Sequence, residues 1–153
     1  MSDIKPRLLD ATKEAMKARD QRRLNVLRLM SAAIKQKEID SRVESGGAEL
    51  DDQQILAVLD KMSKQRGESI EQYQAANRQD LVDQEAFELT VIADFLPPRL
   101  SAEEIDALIK SAISETDAKT GKDMGKVMAV LKPKLQGRAD VKQVSEMIKQ
   151  LLA

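Results

Sequence analysis

The sequence predicts an all-α protein, an N-terminal helical bundle built on a helical hairpin and followed by a small three-helix C-terminal domain. Three observations carry that prediction. Apolar residues recur every three or four positions through most of the chain, the spacing of one buried helix face. Ala, Leu, Lys, Glu, Gln and Met are abundant while aromatics make up only 2% of 153 residues, a mixture that favours helix over sheet. Finally, a stop stands directly before a start: Leu96-Pro97-Pro98 cannot continue a helix, and Ser101 with Glu104 forms the pattern of a capping box. The domains are therefore placed at residues 1–96 and 97–153.

Ser2 or Asp3 caps the first helix, with Pro6 in the first turn, where its missing N–H removes no helical bond. Ile4, Leu8, Ala11, Ala15 and Met16 form its stripe. Arg19-Asp20-Gln21 is a break, after which Leu24, Leu27, Met30, Ile34 and Val43 mark a second helix. Glu44 to Ala48 reads as a loop on its two glycines. Asp51 with Gln54 approximates a capping box and opens a long third helix, striped by Ile55, Leu59, Met62, Arg66, Ile70 and Tyr73. At Asn77-Arg78-Gln79 the chain either turns or bends and continues. Leu81, Val82, Glu85, Leu89, Ile92 and Phe95 stripe the fourth helix.

Three short helices follow in the tail. Ile105, Leu108, Ile109, Ala112 and Ile113 line the first. Met124, Val127, Met128 and Leu131 line the second, with Pro133 near its end. Gly137 breaks the chain, and Asp140 with Gln143 caps the last, lined by Val144, Ile148 and Leu151. Gly125 is expected to let a neighbouring helix come close, with Met124 and Met128 filling the space around it.

Composition excludes several chemistries. The chain has no cysteine and no histidine, so disulfides, zinc held by thiolate or imidazole, Cys or Ser–His nucleophiles and imidazole acid–base catalysis are ruled out. No catalytic residue, metal ligand or cofactor motif emerges; Thr120-Gly121-Lys122 lacks the rest of a phosphate-binding loop. No apolar run reaches membrane-spanning length, and Met1 to Pro6 lacks the core of a signal peptide, so a soluble cytoplasmic chain without membrane contact is expected.

The near-neutral balance of 25 basic against 26 acidic residues hides a mosaic. Eight basic side chains stand against two acidic ones between Lys13 and Lys37, and seven against two between Lys119 and Lys142. Such patches can contact phosphate backbones, although solvated helix faces look the same in sequence. The tail patch is the stronger candidate, because Lys122, Lys126 and Arg138 flank helix starts, where free N–H groups also favour anions. Tyr73, Phe87 and Phe95 lie outside both patches in sequence, so any contact with nucleic acid should follow backbone and shape rather than bases.

Arg66, Glu85 and Glu88 occupy positions that a core would normally claim. Glu85 and Glu88 share one helix face, the spacing of an acid–base pair or half a metal site, but no Glu-x-x-His partner can exist here. The stronger reading is a structural ionic lock that fixes how the third and fourth helices pair, with Arg66 meeting Glu85 or Glu88 and with Arg78 and Tyr73 close enough in sequence to join.

Leu27-Arg28-Leu29-Met30, Lys64-Gln65-Arg66, Tyr73, Asn77-Arg78, Glu85 to Glu88, Leu96-Pro97 and Met124 to Met128, taken in order, resemble the YqeY-like family, from about Ile4 to Leu152. The tail, with Gly125 to Met128, Gly137 to Asp140 and Val144 to Leu152, is also similar to the C-terminal appendage of the B subunit of the tRNA-dependent Asp/Glu amidotransferase, and to a segment that begins some glutaminyl-tRNA synthetases. The resemblance implies a helical domain followed by a small three-helix domain. Together with the basic tail patch, it points to a freestanding tRNA-binding accessory module that touches the structured tRNA body through Lys122, Lys126, Lys132, Lys134 and Arg138, aided by Arg22, Arg23 and Arg28. One alternative partner is an amidotransferase or synthetase docked by the N-terminal half. A further alternative, inherited from the parent enzyme, is a component of a carbon–nitrogen ligase using glutamine as amido-N donor. The chain lacks an ATP-binding signature, a zinc site and amidase machinery, so catalysis by the chain alone is not expected.

Overall fold

In the computed structural model, residues 3–47 and 49–152 are described; Ser2 and Ala48, which enter the first cap and the glycine loop, lie outside them. The described residues form seven α-helices and one 3-10 turn, an all-α fold. These are α1 (Ile4–Lys17), α2 (Gln21–Ser45), α3 (Asp52–Ala75), α4 (Gln79–Ala93), α5 (Ala102–Thr116), the 3-10 turn Gly121–Asp123, α6 (Met124–Leu135) and α7 (Val141–Leu152). They divide into two compact units, Met1–Pro97 and Pro98–Ala153.

In the first unit α2 packs against α1, α3 and α4, while α3 and α4 pair along their length. Leu24, Leu27, Met30 and Ile34 of α2 meet Ile4 and Leu8 of α1, Ile55, Leu59 and Met62 of α3, and Val91, Ile92 and Phe95 in one core. Fully burying side chains such as Leu27, Met30 and Ile92 stabilises the fold by about 1.5–3 kcal/mol each. Val26 is buried too, although it lies off the predicted stripe, because a helix with neighbours on more than one side needs a wider apolar arc. Met16 and Val43, expected in stripes, face solvent; Val43 is 94% exposed.

The helix boundaries follow from local chemistry. Arg19 turns the chain at φ 57, and the Asp20 carboxylate accepts the Arg23 N–H to start α2. That helix runs on through Ser45, two residues into the expected loop, and stops where Gly46 adopts the left-handed conformation at φ 67. The Asp51–Gln54 capping box forms in both directions. At Asn77, φ 56 ends α3, so the chain turns rather than bending onward.

In the second unit, Ile105, Ile109 and Ala112 of α5, Val127, Leu131 and Leu135 of α6, and Val144, Ile148 and Leu152 of α7 form a separate core. Ser101 and Glu104 close their capping box. The last helix is capped differently from expectation: the Asp140 carboxylate accepts the Lys142 N–H at 3.0 Å. Gly125 also departs from expectation, since a Cβ there would meet nothing within 4 Å; it faces open space, and Met124 and Met128 pack half-buried on the core. The entry to the unit is pinned to its α6–α7 turn. Leu100 N–H donates to the Arg138 carbonyl at 2.9 Å, and Arg138 Nε donates to the Pro98 carbonyl at 3.2 Å.

Shortening a core side chain of α2 tests this arrangement. Leu27→Ala should lower unfolding free energy by about 2–5 kcal/mol, whereas Met16→Ala should stay within about 0.5 kcal/mol of the parent. Urea denaturation followed by helical circular dichroism reads both.

Candidate functional site

Two constellations emerge, one basic and on the tail, the other ionic and between α3 and α4. On the tail, Lys122 precedes α6, and Lys126, Lys132 and Lys134 lie on it; all four are exposed. At about 100° per residue, the three helical lysines fan over about 200° of the side turned away from Val127, Leu131 and Leu135. Among the described residues no carboxylate pairs with Lys122, Lys132 or Lys134. Lys126 Nζ lies 3.8 Å from Asp123 Oδ1, an exposed contact of little strength. Arg138 is half-buried and holds Pro98, so it serves the fold before any ligand.

Asp123 is engaged just before α6. Its Oδ2 accepts the Lys119 N–H at 3.0 Å and the Thr120 N–H at 3.3 Å. Those bonds, the Lys119 N–H first, hold its carboxyl below the ordinary aspartate range, with Lys126 adding to the effect. A fixed negative charge thus stands at the helix start where sequence suggested an open niche for an anion.

The basic patch of the first unit is partly consumed internally. Arg22 lies over the Phe87 ring at 3.9 Å from its centroid. Arg23 NH1 pairs with Asp94 Oδ2 at 3.1 Å. Arg7, absent from the sequence-based set, lies 5.5 Å from the Phe95 centroid and donates to the Asp94 carbonyl at 2.9 Å. Arg28 remains exposed. Nothing in the sequence signalled these pairings, because they join α1 and α2 to α4 and the residues just beyond it.

Between α3 and α4, Arg66 Nε donates to Glu88 Oε2 at 3.0 Å, with side-chain exposures of 18% and 13%. Gln84 Nε2 supports Glu88 Oε1 at 3.3 Å. Arg66 therefore meets Glu88, and Glu85 is left beside the pair. Burial first, then the Glu88 charge, pushes the Glu85 carboxyl above the ordinary glutamate range, against the pull of Arg66. Arg78 takes no part: it grips Asp80 through Nε at 3.1 Å and NH2 at 3.0 Å. Tyr73 is half-buried and close enough to Arg78 to favour its charge. Among the described residues no three carboxylates are arranged to hold a metal ion. No described helix is long and apolar enough to cross a membrane.

An all-helical chain with these two cores and this ionic pair matches a known class over almost its whole length. Residues 5–152 match the Yqey-like protein family, and the chain belongs to that family. It is similar to the protein named altered inheritance of mitochondria protein 41, mitochondrial, in several fungi. Identity is 36% over 105 residues with the Lachancea thermotolerans protein, covering 67% of this chain and 54% of that one. It is 31% over 155 residues with the Pyrenophora tritici-repentis protein, covering 97% and 81%. With the Vanderwaltozyma polyspora protein it is 32% over 111 residues, covering 71% and 58%. The chain thus spans little more than half the length of two of these relatives. Their names overturn the cytoplasmic expectation, since each is named as a mitochondrial protein.

Two measurements address the ionic constellation. A double-mutant cycle on Arg66→Met and Glu88→Gln should give a coupling of about 1–3 kcal/mol, and the Arg66–Glu85 cycle a smaller one. Because the native Glu85 carboxyl binds its proton more tightly than the unfolded one, its ionisation weakens the fold as pH rises past the ordinary glutamate range. Glu85→Gln should therefore stabilise the protein at neutral pH, and that gain should shrink on acidification. Thermal melts across acid to neutral pH would show it.

Proposed function

We propose that the chain is a tRNA-binding accessory module whose tail unit lies against the phosphate backbone of a folded RNA. The observation that carries this reading is the exposed lysine set, Lys122, Lys126, Lys132 and Lys134, fanned around the outer side of α6 with one weak acidic contact. Ammonium groups on flexible stems suit phosphate as point charges. The resemblance of the tail to an amidotransferase appendage supports RNA over other polyanions. The module would position or present tRNA, with chemistry supplied by another protein.

A second reading has its own observation. Leu29, Ile39 and Val43 are exposed on α2, a surface suited to docking a translation-related enzyme.

Binding of total tRNA across a salt series, with duplex DNA as control, tests the first reading. Each phosphate contact should contribute about 0.9 to the slope of log affinity against log salt, so Lys126→Ala, Lys132→Ala and Lys134→Ala together should flatten it by about two to three units. An unchanged slope removes these lysines from the interface. Absence of tRNA binding at physiological salt moves the function to the docking reading, whose sign is a protein partner retained after nuclease treatment.

A further inference from the structure

A groove of about 410 Å³ runs between α1 and α2, remote in sequence from the tail lysines. Its apolar surface comes from Leu8 and Ile34, both nearly buried, and from Leu9, which is 56% exposed. Lys5 and Lys35 add alkyl stems, and Thr12 and Ser31 add hydroxyls. Between Lys5 and Thr12, and between Ser31 and Glu38, each helix rises about 10 Å, which sets the length of the groove. The volume falls in the range of small-molecule sites, and an apolar body with a few polar groups is their usual lining.

Charge selects among apolar occupants. Lys5 is paired with Glu38 at one end, so that carboxylate is already neutralised. Lys35, one turn from Glu38 and one turn from Ser31, is exposed with no carboxylate partner among the described residues. Thr12 donates its hydroxyl proton to the Leu8 carbonyl at 2.7 Å, leaving the Lys35 ammonium as the donor suited to an anion. The groove therefore carries one uncompensated positive charge beside an apolar strip.

We propose that this groove binds a small amphipathic carboxylate, an alkyl chain ending in a carboxylate, with the chain along Leu8, Leu9 and Ile34 and the carboxylate on Lys35. The site shares no residue with the lysine fan.

Titration of the full chain with decanoate, followed by amide and methyl NMR, tests it, with decanol and a decyl trimethylammonium salt as controls. The expected result is saturable shifts at groove residues below the concentration at which the ligand aggregates. Lys35→Glu should weaken binding about tenfold or more, Leu9→Asn should also weaken it, and Lys35→Arg should retain it. Both altered positions are exposed, so circular dichroism should show the variants folded. Equal binding of decanol or of the cationic salt overturns the charge assignment. Shifts that appear only with aggregated ligand, or at residues outside the groove, overturn the site. If dilution of the protein alone moves the same resonances, the groove is an interface between copies and the proposal fails.

Discussion

The N-terminal unit depends on α2 being buried on more than one side. Leu24, Leu27, Met30 and Ile34 form the column that α1, α3 and α4 share, and Val26 widens it. A helix with one partner presents a narrow stripe; one with three cannot, and its amphipathic pattern blurs accordingly. The α3–α4 hairpin has no deep core of its own in its outer half, where Ile70 and Tyr73 are only half-buried. There Arg66 and Glu88 meet across the two helices, beside the buried Val82 of α4.

The same logic explains where the arginines went. Aromatic side chains are scarce, and the two phenylalanines of α4 and its C-terminal end each lie beneath a guanidinium from another helix. Planar, weakly hydrated arginine suits that stacking in a way lysine does not. The outcome divides the cations by type. Arginines of the first unit mostly clamp the fold, while the lysines of the tail stay in solvent.

Much of the fold was legible because it rests on local rules. Helix starts at Asp51 and Ser101 were written in capping residues, and the stop at Leu96-Pro97-Pro98 in proline stereochemistry. The tail stripes through Val127, Leu131, Val144 and Ile148 were legible because each helix buries one face, although Leu152 closes the last one and the expected Leu151 is exposed. What failed was what required knowledge of neighbours. The empty space around Gly125, the burial of Val26 and the exposure of Met16 depend on which helix lies opposite. The choice of Glu88 over Glu85 by Arg66 was open for the same reason: both share a face, and only the crossing of α3 and α4 decides. The lysine positions were readable, whereas the prior engagement of Arg138 and Asp123 was not.

The clasp between Leu100 and Arg138 bears on where the chain can be cut. The second unit holds its own first residues by backbone, and Pro98 lends a carbonyl to the turn between α6 and α7. A fragment begun at Ser101 would keep every helix yet leave the Arg138 carbonyl and guanidinium without these partners. Begun at Pro98, it would carry its own closure. Its closure is then set within the unit rather than by whatever sequence precedes it. The short peptide from Pro98 to Leu100 therefore belongs with the tail rather than serving as a connector to it.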